Sequence, residues 1–204
     1  MNIYLYHRPL ADLLGKSVGR LGHDDRLILA HHRDALLGAF CHQHALPPLV
    51  INTHTHGKPY CVDSPIHFNQ SHGRQDYVLA FSHEIHDIGV DIEHIERNVR
   101  HQDLAKAYFS DDEQAFWQAD NYSRESFFAI WTAKEALLKA HGLGIRLALN
   151  TLNTKPDQGQ SYPQHIHHDK LGAFSYQSFL LDKVMISVAW RTLDKNAIPD
   201  VIWV

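Results

Sequence analysis

Cysteine is scarce in this chain: two residues, Cys41 and Cys61, among 204. Two thiols cannot make the disulfide framework of a small secreted scaffold. Cys41, in an apolar helical stretch, reads as a small buried hydrophobe. Excess positive charge is missing as well. The formal net charge is −4, so no global positive field draws the protein to DNA or RNA. A local basic pocket for a small anion stays open. No apolar run reaches membrane-spanning length, and the opening MNIYLYHRPL is too polar for a secretory signal, so a cytoplasmic location is expected. Pro/Gly/Ser-rich linkers and low-complexity tracts are also lacking, which argues against separate tethered domains. What remains, 44% hydrophobic and 21% charged, is the composition of an ordinary soluble globular protein with one sizeable core or two small lobes.

Histidine is the one residue in excess, with 18 copies. They gather as His31/His32, His54/His56 and His165/His167/His168. H-x-H on a strand puts two imidazoles on one face, where they could ligate Zn²⁺. No cysteine or third ligand recurs at finger-like spacing, and the context is polar and loop-like, so surface histidines are the expected reading.

Strand-like and helix-like segments alternate irregularly. MNIYLYH reads as an opening strand, and 23–45 carries a helical stripe that stops before Pro47-Pro48. LVINTHTHGKPY offers a strand and then a turn at Gly57-Lys58-Pro59. DYVLAFS (76–82) and IGVDI (88–92) look like buried strands. Ser110-Asp111-Asp112-Glu113 is a capping-box sequence, and 124–141 is the longest helical pattern, closed by Gly142. Strands are expected at about 173–181, 183–191 and 199–203. DYVLAFS and DKVMISVAW form a faint internal echo, too short to establish a repeat. Helices and strands without regular βαβ alternation favour the α+β class.

Three pieces could carry chemistry. In Gly89-Val90-Asp91-Ile92-Glu93, residues two apart share a strand face, so Asp91 and Glu93 present paired carboxylates. Such a pair repels itself unless a cation lies between, and a hard divalent ion fits; a solvent-facing strand end is the plainer alternative. On the helix W-T-A-K-E-A-L-L-K, Trp131, Glu135 and Lys139 line one face, where a bare Glu–Lys pair contributes only about 0.3–0.5 kcal/mol. Phe68-Asn69-Gln70-Ser71-His72-Gly73, read as lying ahead of a strand, offers a hydroxyl, an imidazole and backbone N–H groups to a phosphate.

Taken in order, G-K-P, F-N-x-S-H, G-[VI]-D-x-E and W-[ST]-x-K-E-[AS]-x-x-K resemble the Sfp-type 4′-phosphopantetheinyl transferases over about residues 55–145. R-P-L near the N-terminus, F-S-x-x-E at 109–113 and G-L-G-I at 142–145 are similar to that family too. The resemblance implies a monomeric α+β protein of two similar lobes related by a pseudo-twofold axis, about 1–95 and 96–204, with coenzyme A in the cleft between them. It implies Asp91, Glu93 and Glu135 as Mg²⁺ ligands (Mn²⁺ as an alternative) and Glu135 with Lys139 as the catalytic pair. Lys58, Pro59, Ser71, His72, Asp91, Lys134 and Lys139 would contact coenzyme A, Lys134 more weakly than the rest. The reaction implied moves the phosphopantetheine arm of coenzyme A onto a serine of an acyl or peptidyl carrier protein, releasing adenosine 3′,5′-bisphosphate.

The family's basic stretch before the first long helix is short and acidic here, leaving Lys16, Arg20, Arg26 and Arg33 as candidates for the 3′-phosphate. Its S-H-S is Ser71-His72-Gly73, one hydroxyl fewer. Glu113 matches a family acid but is explained equally by the capping box. Arg97, Arg100, Lys106, Phe116 and Trp117 lie in the segment where the family docks its carrier. Three rival readings stand beside this one: a Mg²⁺-dependent nuclease using the same acids and Lys139, a non-catalytic binder of coenzyme A or carrier, and histidine-based metal storage.

Overall fold

In the computed structural model, which describes residues 1–17, 19–54, 57–142, 147–155 and 163–204, the period-2 patterns become two four-stranded sheets. The first runs in the order β10 (Asp200–Trp203), β1 (Asn2–Pro9), β5 (Asp76–Ser82), β4 (His67–His72), antiparallel except that β1 pairs with β10 in parallel. The second is wholly antiparallel, in the order β6 (Gly89–His94), β9 (Val184–Arg191), β8 (Gly172–Leu181), β7 (Gln164–His168). A two-stranded ribbon, β2 (Ile51–Thr53) with β3 (Pro59–Cys61), carries the turn that ends in Lys58.

Side-chain alternation decides what each face meets. Ile3 and Leu5 on β1, Val78 and Ala80 on β5, Val90 and Ile92 on β6, and Ile186 and Val188 on β9 close into one core between the sheets. The opposite face of the first sheet, through Tyr77, Leu79 and Phe81, packs on Leu29, Leu37 and Phe40 of helix α2 (His23–Gln43). The opposite face of the second sheet, through Ala189, Phe174 and Tyr176, takes Ala133, Ala136 and Leu137 of helix α5 (Arg124–His141). The layers are therefore helix, sheet, sheet, helix, a mixed α+β architecture as the sequence led one to expect.

Two strands link distant parts of the chain. β6 pairs with β9, while β10, at the far end of the chain, returns to pair with β1. Helices α1 (Leu10–Leu14), α3 (His101–Tyr108) and α4 (Asp111–Ala119) complete the fold. Both ends of α5 follow their local signals: Ser123 accepts from the Ser126 N–H, and Gly142 adopts φ 83°, a left-handed cap that glycine enters without a Cβ penalty. Two segments differ from expectation. FNQSH is itself strand β4, paired with β5, and 164–168 is an edge strand rather than a loop. In both, cross-strand pairing overrides a polar composition. Among the described residues no helix is long and apolar enough to cross a membrane.

Candidate active site

Gly89 sets the distance between β6 and α5. A Cβ there would lie 2.1 Å from the Ala136 carbonyl oxygen and 2.2 Å from the Ala140 nitrogen, so only glycine lets the strand lie flat on the helix. This close approach brings the acids of β6 to the helix face bearing Glu135 and Lys139. The edge strand β4 closes the other side. Asn69 on β4 accepts the Val90 N–H at 2.9 Å and so ties the first sheet to the second at the residue before Asp91.

The charged groups meet at one point. Lys139 Nζ donates to Asp91 Oδ1 at 2.6 Å and to Ser71 Oγ at 2.7 Å, and Ser71 Oγ donates to the same Asp91 oxygen at 2.9 Å. Asp91 and Ser71 are buried, whereas Lys139 is partly open to solvent. These residues, with Asn69, His72, Glu135, Lys58 and Pro59, line a cavity of about 590 Å³.

Two acids, Asp91 and Glu135, face two lysines, Lys139 and Lys58, around the cavity. Burial pushes the Glu135 carboxyl above its ordinary range and neighbouring Asp91 pushes it further, with Lys139 opposing. Burial drives Glu93 up to about 7; Arg97 opposes this and Asp91 adds to it. Desolvation, with the charges of Lys139 and Arg26, holds His72 below its ordinary value, although the Gly73 backbone and Asp91 work the other way. Glu93 stands apart from the cavity wall, and its carboxylate accepts from Arg97, four residues on in the turn after β6. Among the described residues no three His, Cys, Asp or Glu side chains converge closely enough to grip a metal ion as they stand. The donor set itself is hard carboxylate oxygen, suited to Mg²⁺ rather than a soft metal, and the raised carboxyls mark charge that a cation would relieve.

Two lysines of the expected set are engaged elsewhere. Lys58 Nζ donates to the carbonyls of Lys139 (2.6 Å), Ala140 (3.0 Å) and Ile88 (3.3 Å). Two of its donors thus cap the C-terminal end of α5, a favourable place for a cation, the third reaches the residue ahead of β6, and burial lowers its pKa to about 8 against the pull of Asp87. Lys58 and Pro59 also form the wall to a neighbouring cavity of about 390 Å³ lined by His54, His67 and His141. Lys134, 1% exposed, donates to Glu113 at 2.7 Å and to the carbonyls of Leu149 and Leu152. Glu113 accepts in turn from the Thr154 N–H and hydroxyl and completes the capping box with Ser110. This pair braces α4, α5 and 149–154 and does not line the cavity at Asp91.

Of the basic candidates near α2, Lys16 pairs with Asp25 at 2.6 Å and Arg33 with Asp34 at 2.7 Å, and exposed Arg26 lies near enough to His72 to shift it. Arg20 is exposed and Trp131 half-buried. In the docking segment, Trp117 is core, its indole donating to the Ser123 carbonyl at 2.8 Å, and Phe116 packs on the same cluster. Arg100 and Lys106 face solvent. Cys41 is buried and both thiols are free. His56 and residues 143–145 of G-L-G-I lie outside the described residues. Asn69 and Gly89 carry no role in the motif reading, although both sit inside motifs; a glycine within a strand is itself a signal of close backbone approach.

Residues 87–189 match the family model of the 4′-phosphopantetheinyl transferase superfamily. The chain is 35% identical over 116 residues to the 4′-phosphopantetheinyl transferase gsp of Aneurinibacillus migulanus, covering 55% of this chain and 46% of that protein. It is 38% identical over 111 residues to the 4′-phosphopantetheinyl transferase AcpT of Escherichia coli O157:H7 (52% and 56%). To the 4′-phosphopantetheinyl transferase Sfp of Bacillus subtilis (strain 168) it is 31% identical over 110 residues (52% and 47%). The matched stretch thus spans about half the length of these curated relatives.

Proposed function

The chain belongs to the 4′-phosphopantetheinyl transferase superfamily, and from that premise we propose that it transfers the 4′-phosphopantetheine group of coenzyme A to a serine of an acyl or peptidyl carrier protein, releasing adenosine 3′,5′-bisphosphate. One observation carries the reading: Ser71, Asp91, Glu135 and Lys139, from three separated segments, surround a single 590 Å³ cavity.

The two sheets, each backed by one long helix, are read as two lobes related by an approximate twofold, with the cleft at the β4–β6 edge as the coenzyme A site. Asp91, Glu93 and Glu135 would hold Mg²⁺, which supplies neutralisation of the pyrophosphate and so lowers its resistance to a nucleophile. Lys139 supplies a second positive charge to the same oxygens, in a site where burial strengthens it. Ser71 and His72 contact phosphate, and Lys58 with Pro59 supports the nucleotide end from the wall between the two cavities. Glu135, its carboxyl raised towards neutrality by burial and Asp91, accepts the proton of the carrier's serine. That hydroxyl oxygen attacks the β-phosphorus; the P–O bond to the nucleotide's phosphate breaks, and the bisphosphate leaves with the electron pair. No covalent enzyme intermediate forms, so neither cysteine takes part.

The carrier is an acidic protein, met by local basic residues such as Arg97, Arg100 and Lys106. A monomer working in the cytoplasm without nucleic acid completes the proposal. The test is the intact mass of an apo acyl carrier protein after incubation with this protein, coenzyme A and Mg²⁺. Addition of one phosphopantetheine arm, abolished by EDTA, supports the reaction; no addition to any of several carriers refutes it.

A further inference from the structure

Asn69 is 6% exposed, yet only one end of its amide is engaged. The Val90 N–H requires an acceptor, which assigns Oδ1 to that bond and orients the side chain. Nδ2 is then left with two N–H donors and no hydrogen-bond partner among the described residues. A buried donor in that state is unusual and costs desolvation energy unless something arrives to accept it. It is not among the polar atoms sealed from solvent without a partner, and Asn69 is one of the residues that line the cavity.

The surroundings say what would accept. Asn69 and Ser71 are two apart on β4 and so project to one face, the face where Ser71 meets Asp91 and Lys139. Gln70 also lines the cavity and accepts from the Tyr77 hydroxyl at 2.8 Å, but it is half-exposed where Asn69 is buried. The resident carboxylate nearest this face, Asp91, is already engaged by Ser71 and Lys139. An anionic oxygen arriving with a ligand and neutralised by Lys139 could serve as the acceptor.

We propose that Asn69 is a coenzyme A-binding residue, its Nδ2 donating to a pyrophosphate oxygen while its Oδ1 holds β6 in place for Asp91. This rests on the transferase reading above. One side chain thereby joins ligand occupancy to the position of the acid-bearing strand. A neutral donor does this without changing the charge balance of the site, which a lysine or arginine at 69 would alter.

The deciding measurement is the side-chain amide resonance of Asn69 in ¹⁵N-labelled wild-type protein, titrated with coenzyme A in EDTA so that metal binding plays no part. The expected result is a downfield shift and slowed exchange of the Nδ2 protons, with the Val90 N–H little changed. Asn69→Leu should weaken coenzyme A binding by about 10- to 100-fold, as the loss of one hydrogen bond to a charged group does. If coenzyme A binds and the Asn69 amide signals do not move, the proposal is wrong while the transferase reading stands. If wild-type protein binds no coenzyme A either in EDTA or with Mg²⁺ present, the transferase reading fails and this assignment falls with it; if it binds only with Mg²⁺, the same amide shift is read there. The resonance is read on unaltered protein, so poor folding of Asn69→Leu would not remove the test.

Discussion

Adding a single methyl group at residue 89 should damage both the fold and the site. In Gly89→Ala the new Cβ would meet the Ala136 oxygen at 2.1 Å and the Ala140 nitrogen at 2.2 Å. Carbon contacts of this kind need at least about 3 Å, so β6 and α5 must part by roughly an ångström. Neither obstacle is a flexible side chain; both are helix backbone, tied into the α5 hydrogen-bond ladder. Overpacking of this kind costs about 1–3 kcal/mol, and the rigid backbone argues for the upper end. For a chain of this size that lowers Tm by roughly 6–12 °C. The same ångström separates Asp91 and Glu93 from Glu135 and Lys139, and a displacement of that size costs on the order of 100-fold in turnover. Scanning calorimetry and carrier-modification rates, taken well below Tm, read the two effects separately. Gly73→Ala is the stability control, because its Cβ would find only the Ile92 oxygen at an ordinary 3.6 Å. Unchanged Tm and rate in Gly89→Ala would refute the claim that strand–helix contact sets the site.

Other perturbations have equally definite outcomes. Lys134→Met leaves the fully buried Glu113 carboxylate without its cation and should cost about 3–5 kcal/mol in urea unfolding; adding Glu113→Gln should recover part of that loss. In metal-free protein, Glu93 with its carboxyl raised from 4.5 to about 7 binds a proton more tightly folded than unfolded. Its stabilising contribution is therefore complete below pH 4.5 and lost as pH rises through about 7, at most about 3 kcal/mol. Glu93→Gln should flatten that slope in pH-dependent denaturation, and an unaltered slope would show that another group is responsible. Glu135→Gln should lower turnover by about 10²–10⁴-fold; full activity would exclude it as the base. Gly38→Ala, on α2 with nothing within 4 Å of the new methyl, should stabilise by about 0.5–1 kcal/mol in thermal melts.

Much of this protein was legible in its residue order. The alternation in DYVLAFS and GVDIE sorts Val78, Ala80, Val90 and Ile92 to one core and leaves Asp91 and Glu93 on the opposite face. The helix at 124–141 is bounded by a serine cap and a left-handed glycine, and its four-residue spacing puts Glu135 and Lys139 on one side. These are local properties, because strand and helix periods depend only on a residue's near neighbours. The same locality made the motifs readable, since each lies within a few consecutive residues.

Partners distant in sequence were decided by tertiary structure alone. Lys139 meets Ser71 across 68 positions and Lys58 meets the end of α5 across 81. No local pattern distinguishes these lysines from Lys134, whose neighbours turn out to be Glu113 and two carbonyls. An ammonium takes whichever acceptors the packed chain leaves unsatisfied, so its role follows from burial and topology rather than from its own motif. The same holds for β6 and β10, which pair over long stretches of sequence because their apolar faces are completed only by strands from the other end of the chain. The sequence by itself determined the elements, the faces they bury and the chemical groups available. The tertiary structure decided which of those groups meet, because long-range pairing depends on the competition of every strand and helix for the same buried surface.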